Sequence, residues 1–124
     1  MLPLASEINS FITNTNQKFI HGYLLPIPTA NKYSKSENEC LLNGRYKSFN
    51  ALVAPEEIWN KNDKNNDIGF VKIYADEELV YDSGAIPSDL TNPIKIDVDL
   101  TGVLKVKIHA QGRGFGLLDA KFVQ

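Results

Sequence analysis

Four segments in the C-terminal two-thirds of the sequence alternate apolar and polar residues with a period of two. They cover residues 48–53, 70–75, 94–100 and 104–109. Because successive side chains of a strand point to opposite faces, each segment has one buried side and one solvent-facing side, as strands of antiparallel sheets do. Glycines stand near the segment boundaries, and no long helical pattern separates the segments. The pattern predicts an all-β fold, an antiparallel β-sandwich or jelly roll, and it excludes a parallel βαβ architecture, which needs crossover helices.

The length and composition of the chain are those of one globular domain. It has 124 residues, of which 43% are apolar and 23% charged, enough for one hydrophobic core. We therefore expect a single domain over residues 1–124, in which an irregular N-terminal wrap, 1–38, precedes the core strands, 39–124. Within the wrap, residues 6–12 begin with a helix-capping serine and predict a short helix, whereas residues 18–25 look extended.

Charge and hydropathy exclude several classes of partner. The formal net charge is -2 and the basic residues are scattered, so no positive patch for nucleic acid is expected. No stretch approaches the roughly 20 apolar residues that span a bilayer, and residues 1–4 are too short an apolar run for a secretory signal peptide. We expect no membrane insertion, and an extracellular or virion-associated location reached as part of a larger enzyme or virion assembly.

The sequence offers no positive sign of catalysis. His21 and His109 are its histidines, and neither lies in a motif for nucleophilic catalysis. No pair of acidic residues is singled out by spacing as a glycosidase pair. The glycine-rich stretch 112–116 lacks the Lys-Ser/Thr ending of a P-loop, and we interpret it as a wide turn that lets the backbone approach something closely. Cys40, the single cysteine, is expected to be a small buried hydrophobe.

We expect no cofactor, and one ion site stays open. Residues 63–67 begin like a calcium loop, but Ile68 stands where glycine is needed and Tyr74 where a bidentate glutamate is needed. An EF-hand is therefore excluded. A looser structural calcium site built from backbone carbonyls and Asp67 remains an alternative.

The last two alternating segments allow a register hypothesis. If residues 94–100 and 103–110 pair as a hairpin with both apolar sets on one face, Asp99 opposes Lys105 and Asp97 opposes Lys107. The alternative is that the two strands enter different sheets, as consecutive strands of sandwiches often do.

Three stretches of the sequence resemble one protein family. They are LNGRYKSFNA at 42–51, GFVKIYAD at 69–76 followed by LVYDSG at 79–84, and IDVDLTGV at 96–103 followed by LDAKF at 118–122. Their order and spacing over residues 39–124 resemble the NPCBM family of carbohydrate-binding modules. The resemblance implies a galactose-binding-like jelly roll that binds a glycan or cell-wall polysaccharide without catalysis. It also implies attachment to a glycoside hydrolase, and a phage tail or surface protein is the other carrier we consider.

Two departures from the family pattern leave an alternative function open. Residues 33–38 contain neither the glycine nor the histidine of the family's G-x-x-x-H-A element, and residues 116–118 lack the tryptophan that many members place there. Both positions lie near loops. The alternative is a structural or protein–protein interaction jelly roll that has lost sugar binding.

Candidate ligand residues follow from the chemistry of sugar recognition, which uses flat aromatic faces and planar polar groups in a preformed, shallow site. A polar loop contributes one group of candidates, the glycine-rich turn a second, and the N-terminal wrap a third. The candidates are Trp59, Asn60 and Asp63; Gln111, Arg113 and Phe115; and Tyr23 and Tyr33. We expect them at the tips of the sandwich, but the sequence does not identify the sugar.

Overall fold

The computed structural model describes residues 7–8, 10–25, 34–61 and 66–124. Within these ranges the chain forms short strands and one turn of 3₁₀ helix at Glu57–Lys61. The strands are β1 Glu7–Ile8, β2 Phe11–Ile12, β3 Lys18–Phe19, β4 Gly22–Leu25, β5 Ser34–Leu41, β6 Ser48–Pro55, β7 Gly69–Ala75, β8 Glu78–Asp82, β9 Ile94–Asp99, β10 Lys105–Gly112 and β11 Phe115–Val123. None of the described helical residues forms a segment long and apolar enough to cross a membrane.

The strands form two main sheets in which all neighbours are antiparallel. The first has five strands in the order β1-β4-β11-β6-β9, and the second has four in the order β5-β10-β7-β8. A small two-stranded ribbon, β2-β3, pairs with neither of these sheets. The predicted antiparallel β-sandwich is confirmed.

The core lies between the two main sheets and follows the alternation of the sequence. The side chains that enter this core are Phe49, Ala51 and Val53 from β6 and Val71, Ile73 and Ala75 from β7. Fully burying one side chain of the larger apolar types stabilises the fold by about 1.5–3 kcal/mol. Cys40 joins this core as predicted, and burial raises the pKa of its thiol.

The N-terminal segment is more regular than the sequence predicts. The predicted helix at 6–12 is wrong, because β1 and β2 lie there. Tertiary contacts override the local capping signal: Phe11 is buried against Ala54 and Leu118 of the first sheet. The extended prediction for 18–25 is confirmed by β3 and β4, and β4 sits inside the five-stranded sheet between β1 and β11. The boundary between wrap and core at 38/39 falls within β5, so residues 34–38 are part of a strand and not of an irregular segment.

The hairpin hypothesis for β9 and β10 is wrong. β9 pairs with β6, which places Asp97 opposite Asn50, whereas β10 pairs with β5 and β7 in the other sheet. The connection between them crosses from one sheet to the other, so the Asp–Lys pairs cannot form. The prediction that Leu104 is buried is wrong for the same reason: Leu104 precedes β10 in this crossing and is 60% exposed.

Candidate functional site

One end of the sandwich collects the connections that follow β6 and β10 and precede β7, β9 and β11. We call it the apical end, and its described segments are residues 13–17, 56–61, 66–68, 83–93 and 113–114. The first of these is attached there because Asn14 N donates to Pro55 O at 3.0 Å and Thr13 bridges Glu56. The sequence predicts that candidate ligand residues lie at the tips, and this end holds the best-defined group of them.

Trp59 lies in the 3₁₀ helix directly after β6. Its indole Nε1 donates to the carbonyl of Gly114 at 2.9 Å, and the same carbonyl accepts a bond from Glu56 N at 2.9 Å. The ring is half-buried and packs against the core. Trp59 is thus placed on a helical turn rather than in the loop that the sequence predicts, with its N–H end fixed to the glycine-rich turn.

Arg113 stands beside Trp59 although the two residues come from distant parts of the sequence. The guanidinium carbon lies 5.7 Å from the centroid of the Trp59 ring, within the range of a cation–π interaction. Arg113 N donates to Ile68 O at 2.8 Å, which holds the turn against the start of β7. The result is a planar cation held over one face of an aromatic ring at the apical end.

The glycines of the turn serve a close approach between backbones. Gly112 has a φ of 154°, and a Cβ placed there would lie 2.1 Å from Ile68 O. On the facing strand, Gly69 has a φ of 143°, and a Cβ there would lie 2.1 Å from Gln111 O. The wide turn predicted from the sequence therefore does bring two backbones together, and the partner of Gly112 is β7.

A shallow recess of about 230 Å³ opens next to this turn, lined by Asn66, Asp67, Ala85, Ile86 and Pro87. Its wall is braced by hydrogen bonds: Asp67 Oδ1 accepts from Gly69 N at 3.0 Å, and Asn66 N donates to Ser88 Oγ at 2.9 Å. Ile68, whose carbonyl accepts from Arg113 N, directly follows Asp67, so the wall of the recess is linked to the glycine-rich turn through the backbone. Sequence reasoning missed its far wall, because residues 85–87 and 66–67 are distant in the sequence. They meet in the folded chain through the bridge between Asp67 and Pro87 and the backbone bonds on either side of it.

Among the other candidates, the described ones lie outside this group. Phe115 is 0% exposed in the core, where it cannot contact a ligand, so its assignment as a ligand residue is corrected: β11 places it opposite Pro55 on the inward face. Tyr23 lies opposite Leu117 in β4 and is half-buried against the core. Gln111 is half-buried on the outer face of β10. Asn60 has its backbone in the 3₁₀ helix and its side chain outside the described residues, as are Asp63 and Tyr33 entirely.

Glu56 is an apical group that sequence reasoning missed. Its side chain is half-buried, and burial raises the pKa of its carboxyl above the ordinary 4.5, with a further increase from the charge of neighbouring Glu57. Its backbone N–H is held by Gly114 O. The adjacent acidic pair at the end of β6 is the sequence signal that points to such a shift.

The chemistry available at the apical end is that of binding. An aromatic face, a guanidinium, a carboxylate and an amide offer an apolar surface with hydrogen-bond donors and acceptors around it. His109 lies on the outer face of the four-stranded sheet, where its Nδ1 is 2.8 Å from Glu37 Oε2. Across the described residues, no three His, Cys, Asp or Glu side chains are placed to hold a metal ion together. The looser calcium site stays a prediction.

Comparisons with known proteins bear on the family and the fold. The family model of the NPCBM/NEW2 domain matches residues 31–121. Among curated proteins no significant match to the chain was found.

Three solved structures share the fold. CBM51 from Clostridium perfringens GH95, in complex with methyl-galactose, aligns over 99% of this chain and 88% of its own at 14% identity, with a TM-score of 0.64. CBM51-2 with the INT domain of Clostridium perfringens ZmpB, in complex with GlcNAc, aligns over 94% of this chain at 21% identity and a TM-score of 0.65. The tandem CBM51 modules of a family 98 glycoside hydrolase from Streptococcus pneumoniae align over 92% at 17% identity and a TM-score of 0.64. This chain spans only 25% and 35% of the latter two chains. The fold is that of the galactose-binding-like β-sandwiches.

Proposed function

The chain belongs to the NPCBM/NEW2 domain family, and from this premise we propose that it is a non-catalytic carbohydrate-binding module that holds a glycan at the apical end. The observation that carries the site is the Trp59–Arg113 pair. Trp59 is bonded to the glycine-rich turn through Gly114 O, and Arg113 belongs to that turn, whose backbone is held to Ile68 O. A site whose parts are already fixed loses little conformational freedom on binding.

The proposed ligand is a galactose-like or amino sugar within a glycan or cell-wall polysaccharide. The Trp59 ring contacts the apolar C–H face of the sugar, while Arg113, Asn66 and Asp67 bond its hydroxyls. Complexes with methyl-galactose and GlcNAc in two structures of the same fold support this choice of sugar class. For a shallow site of this kind we expect millimolar to micromolar affinity, roughly 4–8 kcal/mol.

The proposed setting is a larger extracellular protein. CBM51 modules of this fold occur in a family 98 glycoside hydrolase, and this chain spans about a third of that tandem structure. We propose that the chain similarly keeps an enzyme near its polysaccharide substrate. Attachment to a phage tail or surface protein is the other setting in which a glycan-binding module of this size would work.

Substitution of Arg113 tests the site most cleanly. Arg113→Ala removes a charge-assisted hydrogen-bond donor worth about 1.5–3 kcal/mol, so we expect the affinity for a glycan selected on an array to fall by about tenfold or more. Calorimetric titration measures the change. Trp59→Ala should also abolish binding, but it removes core packing as well. A thermal unfolding curve must therefore show that this variant is folded under the conditions of the titration.

Arg45→Ala is the matched control, because Arg45 is exposed at the opposite end of the sandwich and is the other arginine of the chain. The affinity of the Arg45→Ala variant for the selected glycan should equal that of the unsubstituted chain. Equal losses in both variants would contradict the apical site. An array without any bound glycan, together with self-association in light scattering, would instead support a structural or protein–protein interaction domain.

A further inference from the structure

A second recess lies on the outer face of the four-stranded sheet, at the end opposite the apical site. We call it the basal recess. It measures about 310 Å³ and is lined by Glu39 of β5, Tyr74 of β7, Glu77 of the β7–β8 turn, and Lys105 and Lys107 of β10. Its volume reaches the lower end of the range typical of small-molecule sites.

The charged groups of the basal recess are spread apart around its space. Lys105 Nζ is 3.8 Å from Glu39 Oε2 and 3.6 Å from Glu77 Oε1, both longer than a hydrogen bond of about 2.7–3.2 Å. Each group therefore keeps hydrogen-bonding capacity for a ligand placed among them. Pairs with an exposed carboxylate, as both of these have, contribute little to stability, about 0–1 kcal/mol. Folding alone is therefore a weak reason for the arrangement.

The turn that supplies Glu77 is held in an unusual conformation. Asp76 and Glu77 have φ values of 46° and 72°, in the left-handed region that non-glycine residues seldom adopt. The carboxylate of Asp76 accepts bonds from Leu104 N at 3.2 Å and Lys105 N at 2.9 Å. These bonds fix the turn to the start of β10 and so keep Glu77 beside Lys105.

The composition of the basal recess selects a class of ligand. Two carboxylates and two ammonium groups cancel in charge, and together they present both acceptors and donors beside the Tyr74 ring, whose centroid lies 4.8 Å from Lys107 Nζ. A phosphate would meet two carboxylates, and a cation would meet two ammonium groups. Neutral hydroxyl groups both donate and accept, so a neutral sugar matches all four.

We propose that the basal recess is a second binding site for neutral sugar residues, separate from the apical site. The inference extends the proposed function and rests on its premise that the module binds glycans. From Lys105 to Arg113 the chain runs eight residues along β10, about 26 Å at the rise of an extended strand. Two sites at this separation would let one module hold two points of a polysaccharide and gain avidity from the second contact.

Amide chemical shifts of the isotope-labelled full chain, titrated with methyl-galactose and with N-acetylglucosamine, test the proposal. We expect one set of shifts around Trp59 and Arg113 and a second, separately saturating set around Tyr74, Lys105 and Lys107. In Lys105→Met the affinity fitted to the basal shifts should fall by about tenfold or more, while the affinity fitted to the apical shifts is unchanged. In Arg113→Ala the apical affinity should fall and the basal affinity should be unchanged.

Glu78→Gln is the control, because Glu78 adjoins the same turn but does not line the recess; both sets should be retained. Apical shifts without basal shifts would overturn the second site and leave the proposed function standing. Basal shifts without apical shifts would overturn the apical assignment alone. Basal shifts that survive Lys105→Met, or a stronger response to glucuronate than to the neutral sugars, would also overturn the second site as proposed.

Discussion

At the scale of single residues, Glu56 gives the apical end a dependence on pH. Its pKa is raised in the folded chain by burial and then by Glu57. The folded state therefore binds more protons than the unfolded state between about pH 4.5 and the folded-state pKa. The free energy of unfolding therefore falls as pH rises through this window and levels off above the folded-state pKa. We expect Glu56→Gln to raise the free energy of unfolding at pH 7, by less than about 1 kcal/mol because solvent screens the half-exposed group.

Denaturant unfolding at pH 7 and pH 4 measures this effect, since at pH 4 the carboxyl is largely protonated in both states and the advantage of glutamine should vanish. Glu78→Gln, at an exposed position on β8, should change neither value. A destabilised Glu56→Gln variant at pH 7 would contradict the assignment of a desolvated carboxyl.

Individual site residues were partly predictable from sequence. Trp59 and Arg113 stand out because a large aromatic and a guanidinium in polar or glycine-rich stretches are suited to ligands, and the structure brings these two together. Phe115 has the same local surroundings but is buried, because the register of β11 decides which face it occupies. No local pattern distinguishes the two outcomes. The Asn66–Asp67 wall could not be predicted, because the other side of its recess is formed by residues 85–87, which are distant in the sequence.

At the scale of elements, the approach of β10 to β7 depends on glycine. Gly112→Ala would place a Cβ 2.1 Å from Ile68 O at a φ of 154°, so strands must separate and the bond between Arg113 N and Ile68 O is strained. We expect a loss of more than about 2 kcal/mol in the free energy of unfolding. Gly84→Ala is the control: its φ is 67° with nothing within 4 Å of the added Cβ, so it should cost only about 1–2 kcal/mol. Equal losses would contradict the close approach.

Strand prediction succeeded where apolar residues alternate with polar ones and failed where this alternation is missing. The alternation of β6 and β7 is visible because their inward residues are apolar throughout. β5 has the sequence SKSENECL, which carries no such alternation, and it is a strand because all eight of its residues pair with β10. Pairing with β10 therefore makes this segment a strand although its own sequence has no strand pattern. The pairing of β9 with β10 was predicted wrongly for a similar reason. A period-two pattern determines which face of a strand is buried, but not which sheet the strand joins.

At the scale of the whole molecule, the two ends of the sandwich carry different chemistry. The apical end presents the Trp59–Arg113 pair and its neighbouring recess, and the basal recess presents balanced charges beside Tyr74. The core lies between them, and of its described residues only Ile86 lines either recess. Most changes at the tips therefore leave the core intact, which lets the tips vary without loss of the fold. The family and the antiparallel sandwich followed from the motifs of the sequence, whereas the position of the sites depends on contacts between distant segments.

The proposed function requires that a glycan binds at the apical end. A crystal structure of the chain with a sugar selected on the glycan array is the decisive test. We expect a sugar ring against the Trp59 face, with hydroxyls bonded to Arg113 and to the Asn66–Asp67 wall. A sugar bound elsewhere while the apical end stays open to solvent would contradict it.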